Sequence, residues 1–204
     1  MKKIINEEMD IVFLLDRSGS MSGVEDDTIG GYNSYLNEQK NNNVLVTTIL
    51  FDDKYEVLNE RTPIKKVMKL TRNDYFVRGS TALLDAIGKS INYLDSKNSK
   101  KALFVITTDG YENASIEYSK NKIKSMIKKH DNYEFIYIGA DIDSYAEGTS
   151  LGISKKNISS YKKDKKGIST LFKSVGCASK CYMQDGCLEE SWKEDLDKYI
   201  EENS

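Results

Sequence analysis

The sequence predicts an α/β fold: a doubly wound, mostly parallel sheet with helices on both faces. Short apolar runs of β-branched and aromatic residues recur without clean polar alternation, as in strands covered on both faces. Helical periodicities fill the gaps between those runs. Strand–helix alternation holds along the chain, which favours a layered sheet with crossover helices over separate all-β and all-α parts.

The first strand is "DIVFLLD", Asp10 to Asp16. "VLVTTILFDDKYEVL", Val44 to Leu58, breaks at Asp52-Asp53 and reads as a hairpin. Leu84, Ile87, Ile91 and Leu94 mark a helix, and "KALFVITTD" (Lys101 to Asp109) is the next buried strand. Ile116, Ile123 and Ile127 predict a helix with lysines on its outer side, followed by "YEFIYIGAD" (Tyr133 to Asp141). A short last strand is placed near Ile158 to Tyr161. Leu171, Phe172 and Val175, then Trp192, Leu196 and Ile200, give helices toward the end. Gly30 and Gly31 stand inside the first helical pattern at a cost of roughly 1 kcal/mol each, and close packing under the loop after the first strand is the reason expected. With a single proline, Pro63, and no linker or repeat, residues 1–204 read as one domain.

Composition narrows the function classes. A chain of 204 residues with 39% hydrophobic and 30% charged residues suits one soluble core. Its net charge of −2, with lysines interleaved among acids, argues against nucleic acid as partner. No apolar stretch approaches the roughly 20 residues of a membrane helix, and "MKKIINEEMD" lacks the apolar run of a signal peptide. Cys177, Cys181 and Cys187 are odd in number and crowded together, so the chain is read as cytoplasmic.

Open α/β sheets carry their sites at the carboxyl ends of the strands, where strand order reverses. Three strands end on acids there: Asp16, Asp109, and Asp141 with Asp143. Ser18, Ser20 and Ser22 follow Asp16, and Ser80 and Thr81 precede a helix. Taken singly, the hydroxyls read as helix caps and the acids as turn residues. Taken together, two carboxylates at neighbouring strand ends repel, and a cation would relieve them. An all-oxygen ligand set suits Mg²⁺, Mn²⁺ or Ca²⁺ rather than zinc or copper.

"DRSGS" (Asp16 to Ser20), "GST" with Thr81, and "TTDG" with Asp109 resemble the three-loop metal-ion-dependent adhesion site of the von Willebrand factor type A family. The resemblance covers roughly residues 8–160 and is closest to small stand-alone bacterial or phage members, including those similar to tellurium-resistance proteins. It implies a Rossmann-like sheet with an antiparallel edge strand from the hairpin; the C-terminal helices over 164–202, read from their apolar spacing, lie beyond it and either complete the core or dock something else. The resemblance also implies that Ser18 and Ser20 bind the metal directly and Thr81 directly or through water, with Asp16 and Asp109 anchoring coordinated waters. In this reading Gly19 removes a side chain where the loop is tightest, and Ser22 caps a helix. The function implied is a divalent-metal-dependent binding module whose ion, Mg²⁺ first, captures an acidic residue of a protein partner. A Mg²⁺-dependent phosphohydrolase is the enzymatic alternative, but no nucleophile or general base stands in these loops. A scaffold with a structural or vestigial site is the third reading.

Other patterns carry less. "AIGKS" (Ala86 to Ser90) lacks the earlier glycine of a phosphate-binding loop and is helical. His130 sits at a polar helix end, away from any triad pattern. "CASKCYMQDGC" offers three thiols where structural zinc wants four ligands. Asn113 and Asn157 open glycosylation sequons that need a secretory route. Asp52, Asp53, Asp141 and Asp143 read as solvated acids rimming the site, or as selectors of a basic surround on a partner.

Overall fold

The computed structural model describes residues 8–140 and 142–203. Strands β1 (Met9–Asp16), β2 (Val44–Phe51), β3 (Tyr55–Pro63), β4 (Ala102–Thr108), β5 (Tyr133–Gly139) and β6 (Ile158–Ser160) form one sheet in the order β3-β2-β1-β4-β5-β6. All neighbours run parallel except β3, the antiparallel edge. The predicted fold class is the one observed.

The helices are α1 (Glu25–Gln39), α2 (Leu83–Ser96), α3 (Lys120–Lys129), α4 (Ser144–Ser150), α5 (Lys165–Asp185) and α6 (Glu194–Glu202). Strand β1 shows why its sequence does not alternate in polarity. Ile11, Phe13 and Leu15 enter a core with α1, α5 and Leu196 of α6, while Val12 and Leu14 enter another with α2 and α3. A central strand of a two-sided sheet must be apolar at every position. The ends of α5 follow local rules: the Asp164 carboxylate accepts the Gly167 amide at 2.7 Å, and Gly186 (φ 73°) closes the helix in the left-handed region. Among the described residues no helix is long and apolar enough to cross a membrane.

The chain leaves β1 toward β2 and β3, then returns to the other side of β1 as β4. Strand order therefore reverses between β1 and β4, where Asp16 and Asp109 were expected to meet.

Several local expectations need correction. Ile116 is 91% exposed and α3 begins only at Lys120. Side chains claim the amides that a longer helix would use: Asp85 takes those of Ile116, Glu117 and Tyr118, and Glu112 those of Ala114 and Ser115. Ser22 does not cap α1, which starts at Glu25 after Val24 and a turn through Gly23 (φ 91°). Gly31 does mark close packing, but against α5 rather than under the loop. A Cβ there would lie 2.3 Å from the Phe172 ring, whereas one on Gly30 would meet open space.

Candidate metal centre

The loops that follow β1 and β4 meet the segment before α2 at the switch point. Asp16 is fully buried, and both its oxygens are held: Oδ1 accepts the Ser18 amide at 2.7 Å and Oδ2 the Thr108 hydroxyl at 2.6 Å. The backbone then tightens into a 3₁₀ turn, Gly19–Met21. This brings the Ser18 and Ser20 hydroxyls within 3.0 Å of each other, and Ser20 donates to Asp109 Oδ1 at 2.5 Å. Thr81 is fixed from the β4–α3 loop, its amide donating to Asn113 Oδ1 at 2.9 Å.

Thr81 precedes a helix without capping it. The first amides of α2 are served from a distance, Leu84 by Glu112 (2.9 Å) and Asp85 by Ser115 (3.0 Å), so the Thr81 hydroxyl is not spent on the helix end. Ser80 is exposed. The five predicted ligands Asp16, Ser18, Ser20, Thr81 and Asp109 thus gather at one sheet edge.

Gly110 shows how close the hydroxyls come. A Cβ on it would lie 3.0 Å from Thr81 Oγ1, 3.2 Å from Ser20 Oγ and 3.9 Å from Ser18 Oγ. A side chain at position 110 would fill the space the three hydroxyls share. Gly19 is not the tight position expected, because a Cβ there would make only ordinary contact with Gly79 O at 3.5 Å.

Burial pushes the Asp16 carboxyl up to about 6 against the hydrogen bonds from Thr108 and Ser18, and the nearby Asp109 charge raises it further. Asp109 Oδ2 is buried and accepts no hydrogen bond; the Lys163 ammonium stands 2.8 Å away as an ion pair without hydrogen-bond alignment. Costly negative charge, an under-satisfied carboxylate oxygen and converging neutral hydroxyls fit a hard divalent cation. Among the described residues no three His, Cys, Asp or Glu side chains come together in a way that could hold a metal. The candidate centre instead brings hydroxyls together beside two carboxylates.

Other residues support the site without having been singled out in the sequence. Thr108 holds Asp16, and its place beside Asp109 in "TTDG" was the available signal. Arg17 is fully buried between Asp52 (2.9 Å) and Glu56 (2.5 Å), and Arg78 joins Asp52 at 2.7 Å. Asp52 is therefore an internal ion-pair partner rather than a solvated rim acid. Burial pushes Asp52 up, but hydrogen bonds from Arg78, the Lys54 amide and Arg17 outweigh it and hold the carboxyl below its ordinary range. Asp53 is exposed, and Asp143 is exposed and caps α4 by accepting the Ala146 amide at 2.9 Å. Asp141 lies outside the described residues.

Solved structures share this architecture. Proximal thread matrix protein 1 from the mussel byssus aligns with a TM-score of 0.62 at 15% identity, over 83% of this chain and 45% of that one. The von Willebrand factor domain of the type V pili tip protein Mfa5 from Porphyromonas gingivalis aligns with a TM-score of 0.65 at 10% identity, over 90% of this chain and 99% of that one. The fold is that of a von Willebrand factor type A domain. Manganese-loaded TRAP protein from Plasmodium vivax shares the type A fold, with a TM-score of 0.60 at 22% identity over 82% of this chain and 73% of that one. The mussel protein has also been solved with its metal-ion-dependent adhesion motif occupied by zinc. No protein-family model matches the sequence, and neither does any of the curated proteins compared with it. The type A domain described here spans about 45% of the mussel protein's chain.

Proposed function

We propose that this chain is a metal-dependent protein-binding module whose divalent ion, Mg²⁺ first and Mn²⁺ or Ca²⁺ otherwise, captures an acidic residue of a protein partner. The observation that carries it is the convergence of the Ser18, Ser20 and Thr81 hydroxyls beside the Asp16 and Asp109 carboxylates. A bound ion would supply a coordination position for a partner carboxylate. Ser18, Ser20 and Thr81 would hold it through neutral oxygens, which leaves it short of negative charge. Asp16, locked by Thr108 and the Ser18 amide, would orient the serine loop, and Asp109 would take ligand waters or the ion itself. Metal-loaded, pilus and thread-matrix neighbours of the same fold support an adhesive rather than a catalytic role. The cytoplasmic placement is part of the proposal, resting on Cys177, Cys181 and Cys187 as free thiols.

The test is a thermal melt of chelator-stripped protein, then with Mg²⁺, Mn²⁺ and Ca²⁺. An ion at 100 times its dissociation constant adds about 2.7 kcal/mol when it binds only the folded state. Wild type should gain stability, whereas Asp16→Ala and Ser18→Ala should fold and show no gain. A wild type that responds to none of the ions at millimolar concentration overturns the proposal. Metal-dependent phosphoester turnover that disappears in Ser18→Ala would replace binding with catalysis.

A further inference from the structure

The connection between β6 and α5 sends a lysine into the centre. Its backbone is pinned on both sides. The Tyr161 amide donates to Gly139 O at 2.9 Å with the ring buried, and Asp164 caps α5 while accepting the Tyr199 hydroxyl at 3.2 Å. From between these anchors the Lys163 side chain, 22% exposed, reaches residues more than 50 positions away in sequence. Its ammonium donates to the Ser20 carbonyl and stands 2.8 Å from Asp109 Oδ2, the carboxylate oxygen that accepts no hydrogen bond.

Both contacts belong to the candidate centre. An ammonium is a compact point charge with three donors on a flexible stem, able to serve a carbonyl and a carboxylate together. It places one positive charge against the buried Asp109 carboxylate. A divalent ion that draws on Asp109, directly or through water, has to displace this ammonium or accept a like charge beside it. Both routes weaken metal binding relative to a chain without the lysine.

We propose that Lys163 is a tethered counter-cation that competes with the divalent ion for Asp109 and so sets the metal affinity of the site. This rests on the metal-site reading above. It makes the β6–α5 connection, which the sequence motif does not include, part of the binding machinery. Displacing Lys163 from Asp109 tightens metal binding, and metal binding in turn releases Lys163.

The experiment is a Mn²⁺ titration of the full chain, with free Mn²⁺ followed by electron paramagnetic resonance. It uses wild type, Lys163→Met, Lys163→Gln and Lys162→Met, with Ser18→Ala as the non-binding reference. Lys162 donates instead to the Asn203 carbonyl, so its removal changes net charge equally without touching the centre. Lys163→Met and Lys163→Gln should bind Mn²⁺ about fivefold more tightly, the value of a partly exposed ion pair, and Lys162→Met should match wild type. Lys163 variants with unchanged or weaker affinity overturn the inference while leaving the metal site standing. An equal gain in Lys162→Met also overturns it, since overall charge would then be the cause. Wild type that binds no Mn²⁺ removes the metal site and this inference together.

Discussion

Glycines 19 and 110 both flank the hydroxyl cluster, and the space around each separates their roles. A methyl group on Gly110 would press on Thr81 Oγ1 and Ser20 Oγ, whereas one on Gly19 would meet only Gly79 O at 3.5 Å. Gly110→Ala should therefore keep the fold and reduce metal-linked stabilisation by about 1–3 kcal/mol, the usual range for overpacking. Gly19→Ala should respond to metal like wild type. Melts of the two variants with and without Mg²⁺ check this, and equal responses would contradict the role given to Gly110. The sequence pointed to Gly19 because it lies inside "DRSGS". Gly110 acquires its importance from the approach of two other loops, which no local pattern encodes. The convergence of the five candidate ligands was legible for the opposite reason: each lies within a few residues of a strand end or helix start that the apolar patterns already mark.

At the scale of elements, the buried guanidinium of Arg17 ties the loop after β1 to its neighbours. It reaches Asp52 at the end of β2, Glu56 on β3 and the Asp74 carbonyl (3.3 Å), and the Arg78 amide returns to the Arg17 carbonyl at 2.9 Å. The Phe76 ring lies beside both guanidinia, 5.4 Å from that of Arg17 and 5.2 Å from that of Arg78. This network positions the segment that delivers Thr81. Arg17→Met leaves buried Asp52 with Arg78 as its remaining charged partner. It should cost about 3 kcal/mol by urea denaturation, at the lower end for breaking a buried pair. Asp52 contributes to the acid dependence. Its folded-state carboxyl titrates below the ordinary 3.8, so its contribution is fully present above that value and is lost as pH falls through the folded-state value. The stability difference between wild type and Asp52→Asn should be constant near neutrality and shrink as pH drops below 3.8. A difference that does not change with pH in acid would show that Asp52 is not held as an ion.

Across the whole molecule, the C-terminal segment is part of the core. Trp192 is buried with Leu196, Phe13 and Phe172, and its indole N–H donates to Lys156 O at 3.0 Å. Trp192→Ala should cost about 3–5 kcal/mol in chemical denaturation, as for other large core truncations. A cost under 1 kcal/mol would mean that the C-terminal helices dock without completing the core. The helices over 164–202 were visible as apolar periodicities, but their partners were not. Gly31 of α1 receives the Phe172 ring of α5, a contact between distant parts of the chain.

By itself the sequence determined the alternation of buried strands and amphipathic helices, the hairpin that becomes the antiparallel edge, and the chain order of Asp16, Ser18, Ser20, Thr81 and Asp109. These are readable because side-chain periodicity and loop chemistry act over a few residues. Tertiary structure alone decided that Asp52 is buried between two arginines, that Thr108 holds Asp16, that Glu112 and Ser115 relieve Thr81 of capping, and that Lys163 reaches Asp109. Each depends on strand order bringing distant segments within hydrogen-bond range. The energy of a buried charge is set by those neighbours rather than by the residues beside it in the chain.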